Sequence, residues 1–171
     1  MRRWNFKIHL VTKLPSGIEI NNLIDDLRNL SWEAAETLLY YSQILKDPYN
    51  KSNILKNDDK NNPVTIADIK VNEIIIRRIN EKYKNVNWNI LSEESIKVSA
   101  DSFNTNSDWL WVLDPLDGTK DFIQGTTNYA MHLGLNFKKK PLLGVVLIPE
   151  KDELWIGDGE KVWFEKKNKS I

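Results

Sequence analysis

Apolar residues recur at helical spacing through residues 18–45 and again over about 65–83, and from residue 88 onward the period falls from 3.6 towards two in one short run after another. This change of period is the strongest constraint on the fold. The first stretch sets Ile20, Leu23, Ile24, Leu27, Leu30, Ala34, Leu38, Leu39 and Tyr41 at helical spacing and is stopped by Asp47-Pro48. The second opens near Thr65 and carries Ile69, Ile75, Ile76 and Ile79, and the polar residues 57–62 between the two read as a surface loop before Pro63. Strand-like runs follow at 88–91, 109–113, 129–137, 141–148, 153–156 and 161–164, joined by Lys-rich, Pro-containing or Asp-Gly turns, with Asp158-Gly159 as a hairpin signal. Helices first and strands afterwards predict an α+β fold, in which two N-terminal helices pack on one face of a mostly antiparallel sheet of about six strands.

Composition narrows the chemistry. A chain of 171 residues can bury a core as one domain, or one domain and part of another. Its net charge is zero, which argues against a nucleic-acid polymer as partner, and the short runs 138–140 and 166–167 read as solvated turn and tail lysines. With no cysteine there is no disulfide, zinc thiolate or thiol nucleophile, so a site must be built from carboxylates, hydroxyls or histidine. Residues 1–14 are basic but lack an apolar stretch of signal-peptide length, and no segment has the length of a membrane span, so a soluble cytoplasmic protein without a membrane partner is expected. The seven tryptophans, among them Trp109 and Trp111 alternating on one strand face and Trp155 and Trp163 in strand-like runs, are expected to pack in the core or between layers.

Residues 111–122 read W-V-L-D-P-L-D-G-T-K-D-F. Strand-forming Trp111, Val112 and Leu113 should carry Asp114 to the end of a buried strand, where Pro115 and Gly118 force a tight turn. Asp114 and Asp117 then meet at the strand end with the Leu116 carbonyl between them, a set of hard oxygens suited to Mg²⁺. Two more acidic clusters accompany them: Glu93-Glu94 in L-S-E-E-S after a short strand, and Asp68 in P-V-T-I-A-D at the start of the second helix.

Each cluster also has a structural explanation. Thr65-x-x-Asp68 is a helix-capping pattern, a glutamate pair after a strand is ordinarily solvated loop charge, and Asp-Pro and Asp-Gly are common turn dipeptides. The clusters mean more together, because neighbouring strands of one sheet could deliver the glutamates and the aspartates to the same end. An EF-hand needs acids at alternate positions and a closing glutamate, a haloacid-dehalogenase site needs Asp-x-Asp, and Gly-Thr-Lys is not a phosphate loop, so those three motifs do not fit. His132 in Y-A-M-H-L-G-L and His9 near the N-terminus belong to no motif and read as structural, and Lys120 is either a contact to substrate phosphate or an exposed turn lysine.

In this order, P-V-T-I-A-D, L-S-E-E-S and W-V-L-D-P-L-D-G-T-K-D-F resemble the inositol monophosphatase superfamily of Mg²⁺-dependent, Li⁺-sensitive phosphatases. Lys120-Asp121-Phe122, L-S-E-E and P-L-L-G-V-V are similar to its 3'(2'),5'-bisphosphate nucleotidase branch, the CysQ type. The resemblance implies two or three Mg²⁺ ions: Glu93, Asp114 and the Leu116 carbonyl on the first, Asp114 with Asp117 on the second, and Asp68 on a third ion or on the attacking water. It gives Thr119, with Asp68 or Glu94, the orientation and deprotonation of that water, and lets Leu116, Asp117, Gly118 and Thr119, beside Glu93, hold the substrate phosphate. The implied substrate is a small phosphorylated metabolite, adenosine 3',5'-bisphosphate ahead of an inositol phosphate.

The resemblance runs from about Ile20 to the end of the chain. Members of the superfamily continue into a second α/β domain with a W-D-x-A motif that completes the metal site, whereas no tryptophan here is followed by aspartate. The expectation is therefore an N-terminal extension over residues 1–17, a metal-binding domain over 18–171, and an open, unfinished site with apolar surface uncovered. A metal-binding domain of little activity remains the alternative, and its protein partner is expected to be a second copy or a separate C-terminal segment.

Overall fold

The computed structural model describes residues 14–57, 63–98 and 107–167. Helix α1 (Ile20–Leu45) turns Leu23, Ile24, Leu27, Leu30, Ala34, Ala35 and Leu38 inward, as its 3.6-residue period requires. After it come the short α2 (Lys51–Ile54) and the antiparallel ribbon β1 (Leu55–Asn57) with β2 (Val64–Thr65). Helix α3 (Ile66–Lys82) buries Ala67, Val71, Ile75 and Ile79. Asp68 stands three residues before Val71 on the same stripe, so the helix itself drives this carboxylate inward.

The remaining chain builds a six-stranded sheet in the order β3 (Asn89–Ser92), β4 (Trp109–Asp117), β5 (Ala130–Phe137), β6 (Lys140–Ile148), β7 (Glu153–Gly157) and β8 (Val162–Lys166). Only the β3–β4 pair is parallel. Helix α4 (Glu93–Val98) follows β3 and helix α5 (Thr119–Gln124) follows β4. The architecture is α+β with the two long helices on one face of a mostly antiparallel sheet. Residues 58–62, most of the expected polar loop, lie outside the described residues, as do Trp4 and His9.

Alternation in the strands decides which side chains form the core. Trp111 and Leu113 of β4, Met131, Leu133 and Leu135 of β5, Leu143, Val145 and Leu147 of β6, and Leu154 and Ile156 of β7 are buried in one core with α1 and α3. Polar contacts fix the layers: Trp32 Nε1 donates to Glu165 Oε1 at 2.9 Å, and the hydroxyls of Ser42 and Tyr129 both donate to Glu150 Oε1 at 2.9 Å. Lys138 and Lys139, both at positive φ, form the two-residue turn between β5 and β6, so this lysine run is turn charge.

The opposite sheet face is uncovered by any described element. It presents Val112, Trp155, Val162 and Phe164, each at least 39% exposed, with Trp155 against Phe164 at 4.3 Å between ring centroids. The expectation of core packing therefore holds for Trp32, Trp88 and Trp111 and fails for Trp155. The reason is register: Leu154 and Ile156 take the helix-facing positions of β7, and the residue between them must point away.

Candidate active site

The parallel pairing of β3 with β4 runs from Asn89↔Leu110 to Ser92↔Leu113, so the next residue on each strand is an acid, Glu93 on one and Asp114 on the other. Neighbouring strands thus bring the glutamate pair and the aspartate pair to one sheet end. The glutamates do not lie in a loop; they form the first turn of α4, where carboxylates are favoured by the helix dipole. Ser92 is fully buried and its hydroxyl donates to Asn72 Oδ1 on α3, pinning the end of β3 immediately before Glu93.

The tight turn expected at Pro115 is absent, because β4 continues to Asp117. Opposite β5 the pairing passes from Asp114↔His132 to Asp117↔Ala130, so three steps on β4 match two on β5. This is a β-bulge, a place where a sheet accommodates proline. It also has a chemical effect. Residues an odd number apart on a regular strand face opposite ways, and the extra residue lets Asp117 turn back towards the side occupied by Asp114 and His132.

Asp114 is half-buried and accepts from the Leu116 backbone N–H at 3.1 Å. Burial first, then the charges of Glu93 and Asp117, raise its pKa to about 7; the Leu116 N–H opposes them, and a side-chain hydrogen bond with Glu93 adds to the rise. Asp68 is almost fully buried and divides its two oxygens. Oδ2 accepts from the backbone N–H of Thr65 at 2.8 Å and from its hydroxyl at 2.5 Å, completing a capping box, while Oδ1 lies 3.3 Å from Thr119 Oγ1. Burial lifts the Asp68 pKa to about 6 against those Thr65 hydrogen bonds, with the charge of Glu94 assisting the rise.

Thr119 therefore links α3 to the bulge, since its hydroxyl also lies 2.9 Å from the Leu116 carbonyl and can donate its single proton to one acceptor at a time. Gly118 makes the bend between β4 and α5 at φ +86°, and a Cβ there would stand 2.6 Å from the Asn128 carbonyl oxygen. No other residue fits. Lys120 is exposed, Asp121 accepts from the Thr126 hydroxyl at 2.8 Å, and Phe122 is buried edge-on to Tyr129.

Glu93, Asp114 and Asp117 are thus electrostatic neighbours, and so are Asp68 and Glu94. The donor set is all oxygen and carries the negative charge that a hard divalent cation neutralises, so in chemistry it fits Mg²⁺. Among the described residues, no three His, Asp or Glu side chains are already gathered closely enough to hold an ion. Sequence reasoning named neither Asn72 nor Ser92, and it read His132 as structural without placing it beside Asp117. The imidazole Nδ1 of His132 lies 3.8 Å from Asp117 Oδ2, a proximity created by strand pairing and signalled by no local motif.

Comparison with known proteins gives the same picture on a larger scale. The chain is 34% identical over 107 residues to the 3'(2'),5'-bisphosphate nucleotidase CysQ of Haemophilus influenzae, a match covering 61% of this chain and 38% of that protein. It is 32% identical over 108 residues to inositol monophosphatase 1 of Bos taurus, covering 63% of this chain and 38% of the relative. The extragenic suppressor protein suhB of Bartonella henselae superposes with a TM-score of 0.67 at 23% identity, over 86% of this chain and 53% of that one. The chain spans about half the length of that structure and less than half of the two relatives. A model of the inositol monophosphatase family matches residues 25–169, from within α1 through the whole sheet and all the acids above, and the chain belongs to that family.

Proposed function

We propose that this chain supplies the metal-binding part of a Mg²⁺-dependent phosphomonoesterase acting on a small phosphorylated metabolite. The observation that carries the reading is the β3–β4 register, which sets Glu93 beside Asp114 while the bulge returns Asp117 to the same cluster. Glu93, Asp114 and the Leu116 carbonyl hold one cation, Asp114 and Asp117 a second, and Asp68 a third or the attacking water. Bound there, the ions lower the pKa of a water and offset charge on the transferred phosphoryl group.

The chain's own groups do the rest. Asp68 Oδ1 and Thr119 Oγ1 orient the water, and the proton passes towards Asp68, whose raised pKa of about 6 suits a general base better than an ordinary aspartate does. Glu94 sustains that pKa by its charge. The backbone of residues 116–119, bent at Gly118, lies against the substrate phosphate.

Adenosine 3',5'-bisphosphate is the substrate we place first, on the similarity to CysQ and on Lys120, an exposed cation in the first turn of α5 directly after the bulge. Inositol monophosphate comes second, on the similarity to inositol monophosphatase 1. The open apolar sheet face favours a further reading, in which the domain binds metal but turns over efficiently only with a partner segment. Phosphate release from both substrates, with and without Mg²⁺, tests these readings. Mg²⁺-dependent release that Asp114→Asn lowers by at least about a hundredfold supports the enzyme; equal rates for the two chains sink it.

A further inference from the structure

On the helix-covered side of the sheet, α1 and α3 leave a cavity of about 470 Å³ between them, with Leu27 and Leu30 of α1, Ile79 of α3 and Trp111 of β4 in its lining. Two cross-helix contacts frame it. Glu33 accepts from Nε and Nη2 of Arg78, both at 2.9 Å, and Asp26, two turns earlier on α1, accepts from the Tyr83 hydroxyl and lies 3.1 Å from Lys82 Nζ. The cations at the rim are thus already paired with carboxylates. Trp111, the lining residue that comes from the sheet, is fully buried, and its indole N–H is the buried side-chain polar group that has no hydrogen-bond partner among the described residues. A buried donor left without an acceptor is costly, and native structures keep few of them.

We propose that this cavity binds an uncharged, mainly apolar small molecule whose single acceptor, of the carbonyl kind, takes the Trp111 N–H. Its volume lies within the range of roughly 300–1,000 Å³ that small-molecule sites occupy, and an apolar lining with one fixed polar group is their usual construction. The ligand carries an acceptor because an indole nitrogen only donates. It is uncharged because a charge taken into an apolar cavity needs a partner, and Glu33 and Asp26 already hold the cations at the rim. The cavity is separate from the acids: Trp111 faces the helices, and Asp114, an odd number of residues further along β4, faces the other way. The proposal therefore stands or falls independently of the phosphatase reading.

The test uses acetophenone as probe, beside α-methylstyrene, which has the same shape with a methylene in place of the carbonyl oxygen. Titrated into the wild-type 171-residue chain, acetophenone is expected to shift the Trp111 indole N–H resonance saturably and to give nuclear Overhauser contacts with the methyl groups of Leu27, Leu30 and Ile79. In Trp111→Phe the ratio of acetophenone to α-methylstyrene affinity is expected to fall about tenfold, because the shared shape cancels the change in packing and leaves the lost hydrogen bond. An indole resonance that acetophenone leaves unmoved up to its solubility limit, or contacts confined to residues elsewhere, overturns the site. An unchanged ratio in Trp111→Phe overturns the acceptor and with it the proposed ligand class. The wild-type titration needs no variant and decides the question even if Trp111→Phe does not fold.

Discussion

Asp68 shows how one side chain can satisfy a structural and a chemical reading at once. Oδ2 closes the capping box of α3 and Oδ1 meets Thr119, so the capping pattern visible in T-I-A-D and the position beside the bulge belong to the same carboxylate. Its pKa, raised from 3.8 to about 6, has a consequence for stability. An acid whose folded pKa lies above its unfolded value binds more protons when folded, so its contribution is fully present below the unfolded value and is lost as pH rises through the folded one. For a group only 3% exposed the shift corresponds to about 3 kcal/mol, disfavouring the folded chain at neutral pH. Urea denaturation of the metal-free wild type and Asp68→Asn should therefore show the wild type losing stability relative to the variant between about pH 4 and 7. A difference that stays flat across that range contradicts the raised pKa.

Elements bring these residues together. Thr65 at the head of α3 accepts from the backbone N–H groups of Ala67 and Asp68, and replacing it with alanine is expected to cost about 1 kcal/mol, with serine restoring most of it. Chemical denaturation of Thr65→Ala and Thr65→Ser checks this; equal stabilities of the two variants count against the cap. The two long helices and the six strands of the main sheet were legible because burial on one face writes a period into the sequence, whereas the short α2, α4 and α5 and the β1–β2 ribbon were not. The path of β4 past Asp114 was not, because proline followed two residues later by Asp-Gly is the local signature of a turn. Only the pairing with β5 turns that segment into a bulged strand. Likewise Ser92 and Asn72 are ordinary polar residues in the chain, and their role in holding the end of β3 on α3 exists only once those elements are packed.

Among the described residues, the sheet is covered by helices on one face and bare on the other, which divides the tryptophans into two energetic classes. Trp111 is fully buried against Trp88, with ring centroids 5.5 Å apart, whereas Trp155 is 40% exposed beside Phe164. Trp111→Ala is expected to cost about 3–5 kcal/mol, and Trp155→Ser on the order of 1 kcal/mol or less. Thermal unfolding of the two variants separates them, and comparable losses would mean that the bare face is sealed in solution. The family assignment was legible at this scale too, because three separated acidic motifs in fixed order constrain a sequence far more than any one of them does.

By itself the sequence determined the helix–strand order, the one-sided helical layer and the identity of the acids, since each is written in local periodicity or in a contiguous motif. Tertiary structure decided which acids become neighbours, that Asp-x-x-Asp is read across a bulge, and that His132 stands beside Asp117. These depend on strand register. A one-residue shift in pairing would leave every motif intact and turn its side chains to the other face.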